Sequence, residues 1–147
     1  MTAPPTAGVD PEYVLYCDGA SRGNPGAAAI GYVLFDARGE EVLARGEAIG
    51  NQTNNVAEYR ALVQGLQAAA DIGIAALRVR MDSELVVRQV LGRYRVRHAG
   101  LVPLHAAAMA LRTRFARFGI EHVPRAENAR ADALANAALD AVASEPS

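Results

Sequence analysis

At 147 residues the chain is sized for one domain. Its composition, 51% hydrophobic and 21% charged, excludes a largely disordered chain, which would lack the apolar surface to offset the entropy of ordering. The net charge of −1 gives no general preference for nucleic acid, no apolar run approaches the roughly 18 residues of a membrane span, and the single cysteine, Cys17, excludes a disulfide framework or a multi-cysteine zinc site.

Residues 1–11 are rich in Pro, Ala and Thr and read as a loose tail with neither the basic residues nor the apolar core of a secretory signal. Residues 142–147 read as a second tail or the start of a linker, leaving 12–141 as the folded domain, with a reducing cytoplasm as its expected setting. Tyr13–Cys17 is predicted as a short strand ending at Asp18, followed by a turn-rich loop from Gly19 to Gly26. Ala27–Phe35 and Glu41–Ile49 are predicted strands separated by the turn Asp36-Ala37-Arg38-Gly39, so the first three strands form an antiparallel meander. Helical periodicity follows: Thr53 or Asn54 suits an N-cap, Val56, Tyr59, Leu62, Val63 and Leu66 repeat at three and four, and Gly73 marks the end. Leu77, Val79 and Met81 alternate with arginines in a fourth strand ending at Asp82. Ser83 opens a helix that Gly92 stops, a longer helix runs from Leu101 to Phe118 before Gly119, Ile120–Val123 is a fifth strand, and Asn128–Val142 a last helix. Strands first, then alternating helices and strands, predict an α/β fold: a five-stranded mixed sheet, its first three strands antiparallel and the later ones parallel additions, with helices on its faces.

Charge is segregated. All 15 basic residues are arginine, and between Leu85 and Ile120 there is no acid, while Arg88, Arg93, Arg95, Arg97, Arg112, Arg114 and Arg117 fall there. That pattern predicts a basic face on a near-neutral protein, although solvated helix faces rich in Ala and Arg would also produce it.

Four acids stand out. Asp18 and Asp82 close strands that flank a helix, and a right-handed crossover makes those strands parallel neighbours with both acids at one sheet edge. Glu58 shares a helix face with Leu62 and Leu66, and Asp132 shares one with Ala135 and Leu139. Taken singly, Asp18 also suits a turn, Asp82 a helix cap, and Glu58 and Asp132 the positive end of a helix dipole. Together, acids on apolar stripes with no lysine nearby call for bound cations, and hard carboxylate oxygens favour Mg²⁺, with Mn²⁺ as substitute, over zinc.

These residues resemble the type 1 ribonuclease H family across roughly Tyr13 to Leu139. Asp18-Gly19-Ala20-Ser21-Arg22-Gly23-Asn24-Pro25-Gly26 is similar to the family's Asp-Gly-x-x-x-Gly-Asn-Pro-Gly opening, and Thr53-Asn54-Asn55-Val56-Ala57-Glu58 to its Thr-Asn-Asn-x-x-Glu helix start. Asp82-Ser83 matches its third acid, and Glu127-Asn128-Ala129-Arg130-Ala131-Asp132 the segment carrying the fourth. The four motifs occur in family order.

The resemblance implies the ribonuclease H-like fold and hydrolysis of the RNA strand of an RNA–DNA hybrid, leaving 5′-phosphate and 3′-hydroxyl ends. It implies metal-ligand roles for Asp18, Glu58, Asp82 and Asp132, with two Mg²⁺ about 4 Å apart activating a water and stabilising the leaving oxygen. Gly23, Asn24, Asn54 and Asn55 then line the minor groove, where amides bond the 2′-hydroxyls that distinguish RNA, and Thr53 meets a DNA phosphate unless capping claims its hydroxyl. The sequence departs from the family in three places. Glu84 stands where Gln is frequent; the link from Leu91 to Leu101 is too short for a basic protrusion, leaving Arg93, Arg95 and Arg97 to supply that charge; and no loop histidine precedes the last helix. His122 falls in strand register, so Arg125 is the loop residue best placed to reach the site. The expected partner is the hybrid, met by a monomer without membrane association. Two other readings stay open on the residues alone: a DNA-processing, integrase-like enzyme on the same fold, and a non-catalytic nucleic-acid-binding module.

Overall fold

The computed structural model describes residues 10–144. Its elements are β1 (Glu12–Gly23), β2 (Gly26–Phe35), β3 (Glu41–Gln52), α1 (Asn54–Ile72), β4 (Ala76–Met81), α2 (Glu84–Val90), α3 (Val102–Arg112), β5 (Arg117–His122), a 3₁₀ turn (Arg125–Asn128) and α4 (Ala129–Ala143). The five strands form one sheet in the order β3-β2-β1-β4-β5, antiparallel among the first three and parallel from β1 through β4 to β5, as the sequence pattern predicts. Most of the expected tails, 1–9 and 145–147, lies outside the described residues, and α4 continues through Ala143.

Helices cover both faces unequally. Alternate residues of β1, β2 and β4 (Leu15, Cys17, Ile30, Tyr32, Leu34, Leu77, Val79, Met81) form the main core with α1, α2 and α3. Among the described residues the opposite face carries only α4, through a small cluster of Ala29, Ala135 and Leu139 with Ala20 and Ala138. That helix lies unusually close to the sheet because Gly31 and Gly46 present no side chain: a Cβ on Gly31 would run into the Ala131 carbonyl, and one on Gly46 into that of Leu134. Cys17 is fully buried on the main-core face, turned away from the acids as alternation from Asp18 requires.

Three expected boundaries are corrected. First, β1 does not end at Asp18; it runs on through the segment expected as a loop, with Ser21 paired to Ala28 and Gly23 to Gly26, so the turn is only Asn24-Pro25. Gly, Ser and Asn there imitate a loop, whereas the small side chains let the hairpin pair to its tip. Second, β3 extends to Gln52, past a bulge at Ile49 marked by the register change between Ala28–Gly50 and Ala29–Ala48. Third, the helix expected from Leu101 to Phe118 is only Val102–Arg112. Tight i to i+3 bonds at Thr113, Arg114 and Phe115 close it, and buried Phe115 returns the chain to the core. Phe115 and Phe118 sit at helical spacing, yet Phe118 already belongs to β5, where Gly119 faces the Arg78 guanidinium instead of stopping a helix.

Candidate active site

Asp18 reaches the sheet edge by an unexpected route. The ladder between β1 and β4 has its last pair at Tyr16–Arg80, so past Tyr16 β1 pairs only with β2. Asp18 thus stands mid-strand yet at the carboxyl end of the parallel part, beside Asp82, which directly follows β4.

The start of α1 delivers Glu58. The Thr53 hydroxyl accepts the Val56 N–H at 3.2 Å, and the Asn24 side-chain carbonyl accepts the Asn54 N–H at 3.0 Å, which satisfies two of the helix's free donors. Gly19 lets this first turn approach β1, because a Cβ there would overlap the Ala57–Glu58 backbone. In the space so gained the Gly19 N–H donates to Glu58 Oε1 at 2.5 Å, fixing the carboxylate beside Asp18.

One oxygen each from Asp18, Glu58 and Asp82 lies within 4.8 Å of the others. Asp132, from the first turn of α4, shares with them an open cleft of about 530 Å³. Asp18 and Glu58 are only 5% and 6% exposed, and among the described residues no arginine ion-pairs with any of the four acids. Burial pushes the Asp18 carboxyl far above the usual carboxylate range, helped by the Glu58 charge, a hydrogen bond with Asp132 and the Asp82 charge. Burial also raises Glu58, opposed by the Gly19 N–H and by its hydrogen bond with Asp18. Such a cluster is unfavourable without a compensating cation, and the all-carboxylate donor set fits hard divalent ions of the Mg²⁺ type.

The other expected residues divide between this cleft and two others. Arg125 lies in the 3₁₀ turn and lines the acid cleft. Asn24, Thr53, Asn54 and Asn55 meet Arg95 and Arg97 in a neighbouring groove of about 480 Å³, and Asn54 and Leu85 border both. Gly23 forms the hairpin shoulder, with a left-handed φ of +100°. Arg93 parts from Arg95 and Arg97: it lines a separate depression with Glu84, Arg88 and His122. Glu84 also borders the acid cleft and pairs with Arg88 at 2.7 Å. His122 is exposed at the end of β5.

Two amides were missed by the sequence reading. Asn136 donates to the Asp132 carbonyl at 3.0 Å and to its Oδ1 at 3.2 Å, and buried Asn128 donates to the Cys17 carbonyl and to Asp82. Their signal is the spacing: Asn128, Asp132 and Asn136 follow each other at four residues, one row of a helix.

Residues 16–138 match the family model described as "Reverse transcriptase-like". Among curated proteins, the chain is 50% identical over 131 residues to the bifunctional protein Rv2228c of Mycobacterium tuberculosis, covering 88% of this chain and 36% of that protein. It is 50% identical over 125 residues to ribonuclease HI of Halobacterium salinarum, covering 85% of this chain and 63% of the relative. The chain thus spans about a third of the mycobacterial protein and under two thirds of the archaeal one. The crystal structure of the Halobacterium RNase H1 superposes with a TM-score of 0.86 at 48% identity, covering 88% of this chain and 98% of that one. LC11-RNase H1, solved in complex with RNA/DNA hybrid, gives a TM-score of 0.85 at 39% identity, covering 90% of this chain and 99% of that one.

Proposed function

Since the chain belongs to the ribonuclease H type 1 family, we propose that it is a metal-dependent endonuclease that hydrolyses the RNA strand of RNA–DNA hybrids, leaving 5′-phosphate and 3′-hydroxyl ends. The observation that carries this reading is the convergence of Asp18, Glu58 and Asp82 within 4.8 Å at the carboxyl edge of the parallel strands, with Asp132 in the same cleft. A pure nucleic-acid binder gains nothing from carboxylates turned toward phosphates.

Divalent ions, Mg²⁺ or Mn²⁺ as substitute, supply when bound an activated water and charge neutralisation at the departing 3′ oxygen. The protein's own residues do the rest. Asp18, Glu58, Asp82 and Asp132 hold the ions; hydrolysis joins water oxygen to phosphorus as the bond to the 3′ oxygen breaks and that oxygen gains a proton. Arg125, a fixed positive charge on the cleft wall, steadies the scissile or departing phosphate. Asn54 and Asn55 offer amides to 2′-hydroxyls, as does Asn24, whose carbonyl is already engaged at the start of α1. Arg95 and Arg97 hold the backbone along the same groove, with Arg93 adding charge farther off.

One chain supplies all four acids, which suits a monomer. The buried thiol of Cys17 suits the reducing cytoplasm, and no helix among the described residues is long and apolar enough to cross a membrane. The test is cleavage of an end-labelled hybrid beside duplex DNA and duplex RNA, with Mg²⁺ and with chelator. Cutting of the hybrid's RNA strand only when metal is present is expected; metal-dependent cutting of duplex DNA with the hybrid spared would select the DNA-processing reading.

A further inference from the structure

The two strands that carry Asp18 and Asp82 part company just before the acids. Their last paired residues are Tyr16 and Arg80, so the ladder itself does not hold the acids at a fixed spacing. A single side chain spans that gap. The Asn128 amide nitrogen donates to the Cys17 carbonyl, next to Asp18, at 2.8 Å and to Asp82 Oδ1 at 3.2 Å. The two protons of one NH₂ group thus tie the end of the paired part of β1 to the acid that follows β4.

Two observations show that this arrangement is not explained by helix stability. Asn128 occupies the N-cap position of α4, where asparagine is among the best capping residues, yet its side chain makes no capping bond. Its Oδ1 is buried with no partner among the described residues, although the residue is 1% exposed. A residue kept for local stability would cap the helix or be apolar; this one leaves an acceptor unsatisfied and forgoes the cap while directing both donors at the acid-bearing strands.

We propose that Asn128 is a positioning residue that sets the separation of Asp18 and Asp82, and with it the divalent-metal affinity of the cleft. The proposal rests on the metal-dependent reading above. Asn128 has no need to touch metal or hybrid to act: it fixes one Asp82 oxygen by a neutral donor and ties that strand end to the backbone leading into Asp18.

The experiment measures Mn²⁺ binding to the free full chain by calorimetry, without nucleic acid, for the wild type, Asn128→Ala and Asn128→Leu. Leucine has the same number of side-chain heavy atoms and removes the unsatisfied oxygen, so it keeps a folded variant in hand if alanine leaves a cavity that unfolds the protein. Circular dichroism establishes folding. Each folded variant is expected to bind Mn²⁺ about tenfold or more weakly, the range seen when residues supporting metal ligands are removed. Cleavage should fall at limiting metal and recover as metal is raised, with the KM for hybrid unchanged. Mn²⁺ affinity within twofold of wild type in either folded variant overturns the proposal, as does a loss of cleavage that added metal does not relieve. Absence of metal binding by the wild type would instead overturn the metal-dependent reading itself.

Discussion

Replacing Asp18 by Asn should abolish cleavage and, in metal-free protein, make the fold more stable. Asp18 is 5% exposed, and burial, with the neighbouring acids, lifts its carboxyl so far that it keeps its proton through neutral pH. The same group in the unfolded chain ionises near pH ~3.9. A folded-state value above the unfolded one means that the native state binds the extra proton, so stability is fully present below the unfolded value and is lost as pH rises toward the folded one. Each pH unit in that interval costs about 1.4 kcal/mol, so at pH 7 the penalty reaches up to about 4 kcal/mol. Asparagine has the same shape and no proton to take up, and its amide can still donate to Glu58 and Asp132. Urea unfolding in EDTA should therefore show Asp18→Asn gaining a few kcal/mol near neutral pH and almost nothing near pH ~4. Added Mg²⁺ should narrow the gap: at about 100 times its dissociation constant it stabilises the wild type by about 2.7 kcal/mol, and the variant by much less. A variant no more stable than wild type at neutral pH in EDTA, or equally more stable at both pH values, would refute the account of a cation-starved acid cluster.

Arg125→Ala should lower kcat tens-fold, with partial recovery in Arg125→Lys, in single-turnover cleavage across pH 6 to 9; exposed His122→Ala should leave both rate and stability close to wild type. For Arg95→Ala/Arg97→Ala, hybrid binding against salt concentration should show a log–log slope shallower by up to about 2, with KM raised more than kcat is lowered, while Arg93→Ala, remote from that groove, should change the slope less. Tyr59→Phe should destabilise the protein by about 1–3 kcal/mol in urea unfolding, because the Tyr59 hydroxyl donates at 2.6 Å to Gln89 Oε1 inside the core and phenylalanine leaves that oxygen unpaired.

The parts of the fold legible in the sequence are those where local pattern and tertiary demand agree. Alternation in Leu77, Val79 and Met81 marks a strand with one buried face, and Thr53 and Gly73 bracket α1 because they satisfy its ends directly. The misread boundaries share the opposite property. The second half of β1 is built from loop-forming residues that a hairpin partner nevertheless pairs, and Leu111, Phe115 and Phe118 keep helical spacing while the chain turns out of the helix and enters a strand. In the first case the pairing partner is near in sequence but, like the end of β1, is built of small residues (Gly26, Ala27, Ala28, Ala29) that carry no alternation; in the second the core and β4 decide, outside any window of a dozen residues.

The same distinction explains which site residues could be found. An acid on an apolar stripe, as Glu58 and Asp132 are, conflicts with its surroundings, and two such conflicts beside Asp18 and Asp82 at one sheet edge point outward to something absent from the chain, a cation. Asn128 conflicts with nothing in the sequence. An asparagine ahead of a helix satisfies the capping rule so well that the rule hides its role; only the geometry shows the amide turned away from the helix and toward Cys17 and Asp82. Groups that carry the charge of a site can therefore be read by the cost they impose. Groups that hold its shape go unread where they satisfy a local rule: the four-residue spacing of Asn128, Asp132 and Asn136 marks only a shared helix row, and the role of Asn128 shows in the capping bond it does not make and the buried acceptor it leaves unpaired.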